Sequence, residues 1–260
     1  MEKLWNTLQF GLKEYCYKNS FKQVILGLSG GLDSALTAVL AADVLGGENV
    51  RAVMMKTKYT SALSLEIARE VAKLNGLKYQ EIDIEPLVAR EAELLLEVLG
   101  GAVKGIVIEN LQARIRGQIL MAISNQEGGL VLACGNKSEI LMGYCTLYGD
   151  TCGGLAPIGN VYKSVIFELA KWRNSKGYVL PQAVIERAPS AELAEGQIDE
   201  NSLPPYAVLD AILKQLYDEH KSVNDVVAMG FDQQTVLSVA VQMRLSAFKR
   251  KQMAPKIEIA

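Results

Sequence analysis

An apolar strand that ends abruptly in a polar loop is the feature that most constrains this chain. Residues 24–28, VILGL, run into SGGLDS and then directly into apolar helical sequence. Strand-like runs at 50–56, 79–84 and 130–134 follow, separated by amphipathic helical patterns. Strands and helices that alternate at this spacing form right-handed crossovers around a parallel sheet covered on both faces. The sequence therefore predicts an α/β fold with a doubly wound parallel sheet. The predicted helices span about 34–45, 61–75, 86–99 and 110–125.

Ligands of such a sheet bind beyond the carboxyl ends of its strands. Residues 29–34, 56–61 and 135–139 are therefore expected along one crevice. Two longer segments, the glycine-rich 144–161 and the proline-rich and acidic 181–205, are predicted to be loops at its rim, where lids are common. Helical patterns resume from about 205 to 251. We expect one domain over 1–260 with this helical C-terminal part.

The hexapeptide SGGLDS has the composition of a phosphate cradle. Gly30 and Gly31 let backbone N–H groups converge, and the following helix directs its positive end to the same point. It is neither a Walker A loop nor G-x-G-x-x-G, because the lysine and the glycine spacing of those motifs are absent. Asp33 would repel phosphate unless a divalent cation lay between them, which indicates Mg²⁺. The alternative is that Asp33 or Ser34 only caps the helix.

Composition narrows the function classes. The 260 residues carry a net charge of −2, so no global basic field favours nucleic acid, and half of them are hydrophobic, enough for a large core. We found neither a secretory signal pattern nor an apolar run of about 18 residues, so no membrane partner is expected. Four cysteines without a C-x-x-C pair, and one histidine, His220, argue against zinc and disulfides. We expect a cytoplasmic protein.

SGGLDS resembles the S-G-G-x-D-S loop of the N-type ATP pyrophosphatases, which have a Rossmann-like adenine nucleotide alpha hydrolase fold and form adenylates. Further segments resemble NAD synthetases in order and spacing, and most closely the synthetase half of the glutamine-dependent enzymes without their amidase domain. These segments are ENLQARIRGQILM (109–121), CGNKSEILMGYCTLYGDTCGGLAPIGNVYKS (134–164), APSAEL (188–193), DENSLPPYAVLDAIL (199–213) and FKRKQMAP (248–255).

The resemblance implies ATP-dependent amidation of nicotinic acid adenine dinucleotide (deamido-NAD) to NAD through an acyl-adenylate. AMP and pyrophosphate leave, and ammonia is the direct nitrogen source. The implied cofactor is Mg²⁺, with ATP as co-substrate. The implied assembly is a homodimer whose substrate site lies at the interface, where a stripe of Ile115, Ile119 and Ile123 is expected. A separate glutaminase is a candidate partner, because His220 lies in a polar stretch far along the chain from all four cysteines.

The resemblance also implies the site residues. Catalysis is assigned to Asp33, Lys163 and Asp150, the last to orient or deprotonate ammonia, and the metal to Asp33 and Glu139. The ATP site comprises Gly27, Leu28, Ser29, Gly30, Gly31, Leu32, Asp33, Ser34, Cys134, Lys163 and Ser190, with cysteine at 134 where many members have threonine. The deamido-NAD site comprises Arg114, Glu139, Tyr144, Cys145, Thr146, Leu147, Lys249 and Arg250.

Taken one at a time, several of these residues have simpler roles. Glu139 has the capping-box spacing from Asn136, Lys163 and Arg114 fit solvated surface positions, Ser190 fits a helix cap, and Asp150 fits a turn. Three other functions also stay open. They are a different amidating ATP pyrophosphatase such as a GMP synthetase catalytic domain, a non-catalytic nucleotide sensor of the same fold, and a tRNA-modifying enzyme, which the composition disfavours.

Overall fold

The computed structural model describes residues 1–197 and 199–259, and its described strands form one parallel sheet. These strands are β1 (Val24–Gly27), β2 (Val50–Lys56), β3 (Lys78–Asp83) and β4 (Leu130–Val131). Their order is β3-β2-β1-β4, and Val24 pairs with both Val50 and Leu130. The chain thus builds outward from β1 to β3 and then returns to the other side of β1. This confirms the predicted doubly wound sheet and places its topological switch point between β1 and β4, where a ligand crevice opens.

Helices cover both faces of the sheet and continue into the C-terminal part. They are α1 (Glu2–Lys18), α2 (Leu32–Leu45), α3 (Ala62–Leu74), α4 (Glu85–Leu99), α5 (Gly105–Glu127), α6 (Lys137–Met142), α7 (Lys163–Ser175), α8 (Gln182–Glu186), α9 (Tyr206–Leu213), α10 (Val223–Ala228), α11 (Gln233–Leu245) and α12 (Ala247–Arg250). A π-helical turn, Lys214–Asp218, extends α9. In the described part of the chain, no helix combines the length and the apolar character needed to cross a bilayer.

The core follows from the period of two along a strand. Leu26 and its even-numbered neighbours in β1 and β2 pack against α1, α2, α3 and α7. Ile25 and Val53 face the other way, toward α4 and α5. A separate apolar cluster joins α6 to α9, α10 and α11 through residues such as Leu209 and Val236. The C-terminal helices are therefore fastened to α6, the helix that begins at the crevice.

The observed elements differ from the predicted ones where the chain enters the crevice. Strand β4 ends at Val131 instead of residue 134, because Ala133 donates its N–H to Leu155 of the following loop. Helix α2 begins at Leu32, which places Asp33 in its first turn. Helix α7 begins at Lys163, which places this lysine in its first turn.

The apolar stripe of α5 packs inside the chain. Ile115 is 1% exposed and lies in the core cluster between the sheet and α4 and α5, and Ile119 and Ile123 are partly buried against the same cluster. The prediction that Ile115 lies in a dimer interface is therefore wrong. The helical period identified an apolar face correctly, but it did not distinguish a face that covers the sheet from one that covers a partner.

Candidate nucleotide site

The loop after β1 has a shape that only glycine permits at its centre. Gly30 has a φ of +82°, and a Cβ there would overlap the backbone of Ser64 in the first turn of α3. The hydroxyls of Ser29 and Ser34 lie 3.1 Å apart, and the Ser34 hydroxyl donates to the Gly31 carbonyl at 3.0 Å. The loop is thus braced by its own side chains at the N-terminus of α2, whose positive dipole end favours an anion.

A buried lysine joins two carboxylates directly beside this loop. The Lys163 ammonium donates to Asp33 Oδ2, and its Nζ lies 3.6 Å from Glu139 Oε1. Asn136 Nδ2 donates to the other Asp33 oxygen at 3.3 Å. Lys163 is only 3% exposed. The structure therefore brings three sequence-predicted residues from α2, α6 and α7 to one point, which we call the carboxylate–lysine centre.

The centre holds two acidic side chains for one ammonium. Burial lowers the pKa of the Lys163 ammonium, but Asp33 and Glu139 outweigh it and hold that pKa above its ordinary value. Burial, and then Asp33, raise the pKa of Glu139 to about 8. One ammonium thus does not keep both carboxyl groups ionised at neutral pH, and full ionisation of Glu139 requires a further positive charge.

A divalent cation fits this imbalance. Mg²⁺ commonly uses one or two carboxylates together with substrate phosphate oxygens, and Asp33 and Glu139 offer two beside the phosphate-type loop. Among residues 1–197 and 199–259, no cluster of three or more His, Cys, Asp or Glu side chains is placed to hold a metal. The donor set therefore suits a cation that arrives with a nucleotide.

Glu139 caps its own helix and also faces the lysine of the centre, while its role toward a metal stays a prediction. Asn136 accepts the Glu139 N–H at 3.0 Å, and Glu139 Oε2 accepts the Asn136 N–H at 3.5 Å, which completes a capping box at the start of α6. The second Glu139 oxygen faces Lys163. The cap thus holds the carboxylate rigidly where it meets the lysine.

Asp210 is a residue of this region that sequence reasoning missed. It lies on α9, and its carboxylate accepts the Ser164 N–H at 2.8 Å and the Ser138 hydroxyl. The Ser138 oxygen in turn accepts the Lys163 N–H at 2.9 Å. The only signal in the sequence is a single acidic residue within the apolar run YAVLDAIL.

Asp199 and Tyr206 form a second group beside the lysine. The Tyr206 hydroxyl donates to Asp199 Oδ2 at 2.8 Å, and the Tyr206 ring centre lies 5.5 Å from Lys163 Nζ. Asp199 is buried, and its Oδ1 has no hydrogen-bond partner within the described ranges. Burial raises the pKa of Asp199. Sequence reasoning quoted this segment but assigned neither residue.

Asp150 lines a recess that it shares with Glu139. The other recess residues are mostly apolar: Ala133, Gly135, Ile140, Cys145, Thr151, Ala156, Met253 and Ala254. Asp150 stays exposed at this recess, and its Oδ1 accepts the Thr146 N–H at 2.6 Å. The surrounding protein raises its pKa to about 6, chiefly by displacing water. A carboxylate at the predicted ammonia position is therefore mostly ionised at pH 7.

The residues predicted for the dinucleotide site lie either on the segment 144–147 or next to it. Lys249 Nζ donates to the carbonyls of Gly143 and Cys145 at 2.8 and 2.7 Å, and Arg250 donates to Leu141 at 3.1 Å. These two cations thus bind the C-terminal end of α6, where backbone carbonyls favour positive charge.

The other side of this segment contacts α5. The Thr146 hydroxyl donates to Asn110 at 2.7 Å, and Arg114 Nε donates to the Leu147 carbonyl at 3.3 Å while its residue stays exposed. Burial raises the pKa of Tyr144 and that of Cys145 to about 12. Their contacts with a dinucleotide stay predictions.

A strap of residues 187–197 crosses from α8 toward α5 and carries Ser190. Arg187 forms an ion pair with Glu192, whose other oxygen accepts the Ser64 hydroxyl at 2.8 Å at the start of α3. The Ser190 hydroxyl donates to the Gln197 carbonyl within the strap.

Cys134, the other residue assigned to ATP, lies outside the strap. Burial raises the pKa of Cys134 to about 12, so this thiol stays neutral. The ATP contacts assigned to Ser190 and Cys134 stay predictions.

Comparison with known proteins agrees with this geometry. The family model described as NAD synthase matches residues 4–253. The glutamine-dependent NAD(+) synthetase of Xanthomonas campestris is 50% identical over 96% of this chain and 46% of its own length. The chain thus spans about half the length of the curated relatives it matches.

Solved structures give the same result and identify the fold. A glutamine-dependent NAD+ synthetase from Acinetobacter baumannii, in complex with ADP, has a TM-score of 0.70 and 42% identity over 99% of this chain and 47% of its own. An NH3-dependent NAD synthetase from Campylobacter jejuni has a TM-score of 0.79 and 28% identity over 100% and 98% of the two chains. The sheet and its helices have the adenine nucleotide alpha hydrolase fold of these neighbours.

Proposed function

Because the chain belongs to the NAD synthase family, we propose that it amidates deamido-NAD with ATP and ammonia, releasing NAD, AMP and pyrophosphate. We treat residues 1–260 as a single synthetase domain. The observation that carries the proposal is the carboxylate–lysine centre, in which buried Lys163 meets Asp33 and Glu139 at the switch point of the sheet. A nicotinate carboxylate resists attack by an amine until one of its oxygens becomes a leaving group, and AMP would supply that group.

In the first step the nucleotide loop and the centre would act on the ATP phosphates. Backbone N–H groups of the braced loop at 29–34 would bind the departing pyrophosphate, together with the N-terminus of α2. Lys163, fixed by burial and two carboxylates, would hold a positive charge where negative charge develops on the leaving oxygens. Bound Mg²⁺, held by Asp33 and Glu139, would neutralise phosphate charge.

In the second step ammonia held in the recess of Asp150 and Glu139 would attack the acyl-adenylate. The attacking nitrogen must be neutral, whereas ammonium dominates at physiological pH. The Asp150 carboxylate, with a pKa of about 6, would accept a proton or a hydrogen bond from the nucleophile. This chemistry needs no covalent bond between the enzyme and its substrate.

A product assay tests the proposal. The purified chain is incubated with ATP, Mg²⁺, ammonium chloride and deamido-NAD, and NAD is quantified beside AMP and pyrophosphate. We expect NAD and AMP in equal amounts. Xanthosine monophosphate and nicotinic acid mononucleotide in place of deamido-NAD control for other acceptors. Amidation of another acceptor in preference to deamido-NAD would contradict the proposal, as would nucleotide binding without pyrophosphate release, the behaviour of a sensor.

We also propose that the chain forms a homodimer through α4 and the adjoining part of α5. Exposed apolar side chains concentrate on the outer face of α4, with Val98 72% exposed and Leu94 and Leu99 beside it. Helix α5, which carries Arg114, packs directly against α4. A dimer here would cover an apolar face and bring a partner close to the segment 144–147.

Val98→Glu should weaken that dimer without disturbing the fold, because the side chain makes little contact within the chain. We expect at least about a tenfold weaker dimer in analytical ultracentrifugation and a parallel loss of activity at low protein concentration. Tyr17→Glu is the matched control, since Tyr17 is 81% exposed on α1, away from this face. Equal dimerisation of wild type and Val98→Glu would overturn the assignment.

A further inference from the structure

We propose that Asp210 is a positioning residue that sets the distance between Lys163 and Glu139. The inference rests on the proposed function, because the distance matters only if both side chains act in the proposed reaction. Asp210 lies on α9, in the C-terminal helical part, and is 5% exposed. It contacts neither the nucleotide loop nor the carboxylates of the centre, so its influence on the chemistry passes through the backbone that carries Lys163.

Helix α7 begins without a cap of its own. Its N-cap residue, Tyr162, makes no side-chain capping hydrogen bond, although the first N–H groups of a helix need partners. Two distant residues supply them. Ser138 of α6 accepts the Lys163 N–H, and Asp210 of α9 accepts the Ser164 N–H. The turn that carries Lys163 is therefore fixed from outside α7.

The same carboxylate also holds α6. The second oxygen of Asp210 accepts the Ser138 hydroxyl, and Ser138 immediately precedes Glu139 in the capped first turn of α6. Asp210 thus bridges the first turns of two helices, one carrying Lys163 and the other carrying Glu139. The 3.6 Å separation of Lys163 Nζ and Glu139 Oε1 depends on the relative position of these turns.

Helix α9 approaches the lysine at a second point as well. Tyr206 lies one turn before Asp210, and its ring packs near the Lys163 ammonium while its hydroxyl binds Asp199. The apolar cluster with Leu209 and Ile212 anchors α9 against α6 and α11. The C-terminal helices are therefore the support that fixes the lysine at both its backbone and its ammonium end.

Steady-state kinetics of three variants test the inference. Asp210→Ala removes both acceptors, and we expect kcat to fall about 100-fold, as small misplacements of reacting groups do. Asp210→Asn keeps one acceptor, so its kcat should be about tenfold higher than that of Asp210→Ala. The loss should fall mainly on kcat and much less on the KM values for ATP and deamido-NAD, because the proposed role of Lys163 is to stabilise charge that develops in the transition state. Ser138→Ala combined with Asp210→Ala should lower kcat by less than the product of the two single losses, since both residues act through one network.

Val236→Ala is the matched control for stability. Val236 lies on α11 in the same apolar cluster as α9 and has no contact with Lys163, so this variant should lower Tm yet keep kcat at 25 °C. Additive losses in the double variant, or an Asp210→Ala enzyme with wild-type kcat, would overturn the inference. The inference would also be overturned if Val236→Ala lost as much kcat as Asp210→Ala at an equal loss of Tm, because Asp210 would then act through stability alone.

Crystal structures of the wild type and Asp210→Ala provide a readout independent of turnover. We expect the first turn of α7 to shift and the contact of Lys163 with Asp33 to be lost. An unmoved lysine in the variant would refute the positioning role even if wild type proved inactive in NAD formation. An inactive wild type with a displaced lysine in the variant would refute only the proposed function.

Discussion

Asp33→Asn should reduce NAD formation at least about 1,000-fold, because it removes one of two carboxylates that would hold Mg²⁺ and the direct partner of Lys163. The amide has the same shape and can still accept from Asn136. Glu139, whose nearby oxygen lies 3.6 Å from Lys163 Nζ, remains to pair with the ammonium. We therefore expect an unchanged circular dichroism spectrum and a Tm within a few degrees of wild type. The rate of pyrophosphate release locates the defect in the adenylation step.

Asp43→Asn is the matched control on the same helix. Asp43 lies ten residues further along α2, where it accepts two hydrogen bonds from Arg173 at 2.8 Å and one from Trp5 at 3.1 Å. The substitution breaks an ion pair whose carboxylate is exposed to a similar extent, and it does so without approaching the nucleotide loop. It should retain nearly full activity. If both variants lost activity equally, or if Asp33→Asn released pyrophosphate at the wild-type rate, Asp33 would have no catalytic role.

The nitrogen source provides the second large effect. With ammonium chloride the chain should make NAD, and with glutamine it should make none above background. A glutaminase of the cysteine type requires a thiolate nucleophile. Burial raises the pKa of each of the four thiols, to about 12 for Cys134 and Cys145, so all four stay protonated at neutral pH. Sustained turnover on glutamine, with ammonium removed by a coupled enzyme, would contradict this prediction.

Ammonia-supported turnover should rise with pH for two separable reasons. At a fixed total concentration of ammonium, and at pH values well below the pKa of ammonium, the concentration of free ammonia increases about tenfold per pH unit. Asp150 has a raised pKa of about 6, so it is largely protonated at pH 5 and largely ionised at pH 7. When rates are compared at equal free ammonia, a rise centred near pH 6 should remain, and Asp150→Asn should abolish it. A flat wild-type profile after this correction would exclude Asp150 from the proton transfer.

The sequence predicted β1 and β2 well because strands buried in a parallel sheet are nearly pure apolar runs. Residues 50–56 were predicted and observed with the same bounds. Residues 130–134 were not, since the regular strand ends at Val131 and the residues after it bridge to the loop at Leu155. That pairing depends on a segment more than twenty residues away, which a local apolar run does not reveal.

The candidate site was predictable only where a motif marked it. SGGLDS and the spacing of Asn136 and Glu139 identified residues that the structure brings together. Asp210 escaped prediction because one carboxylate in a helix has no local pattern that distinguishes a distant cap from a surface charge. Lys249 was predicted as a dinucleotide-site residue, but a cation near the end of the chain has no local pattern that reveals its hydrogen bonds to backbone carbonyls of the loop after α6.

The contacts that build the site join segments from opposite ends of the chain. Lys163 and Asp33 are 130 residues apart, Glu192 and Ser64 are 128 apart, and Asp210 and Ser138 are 72 apart. Contacts of such long range must overcome loop-closure entropy before they contribute, and they slow folding. During synthesis, β1, β2 and β3 can emerge and pair while the centre still lacks its lysine and α9. We therefore expect refolding monitored by nucleotide binding to lag behind the recovery of circular dichroism, with full binding competence appearing only as α9 docks.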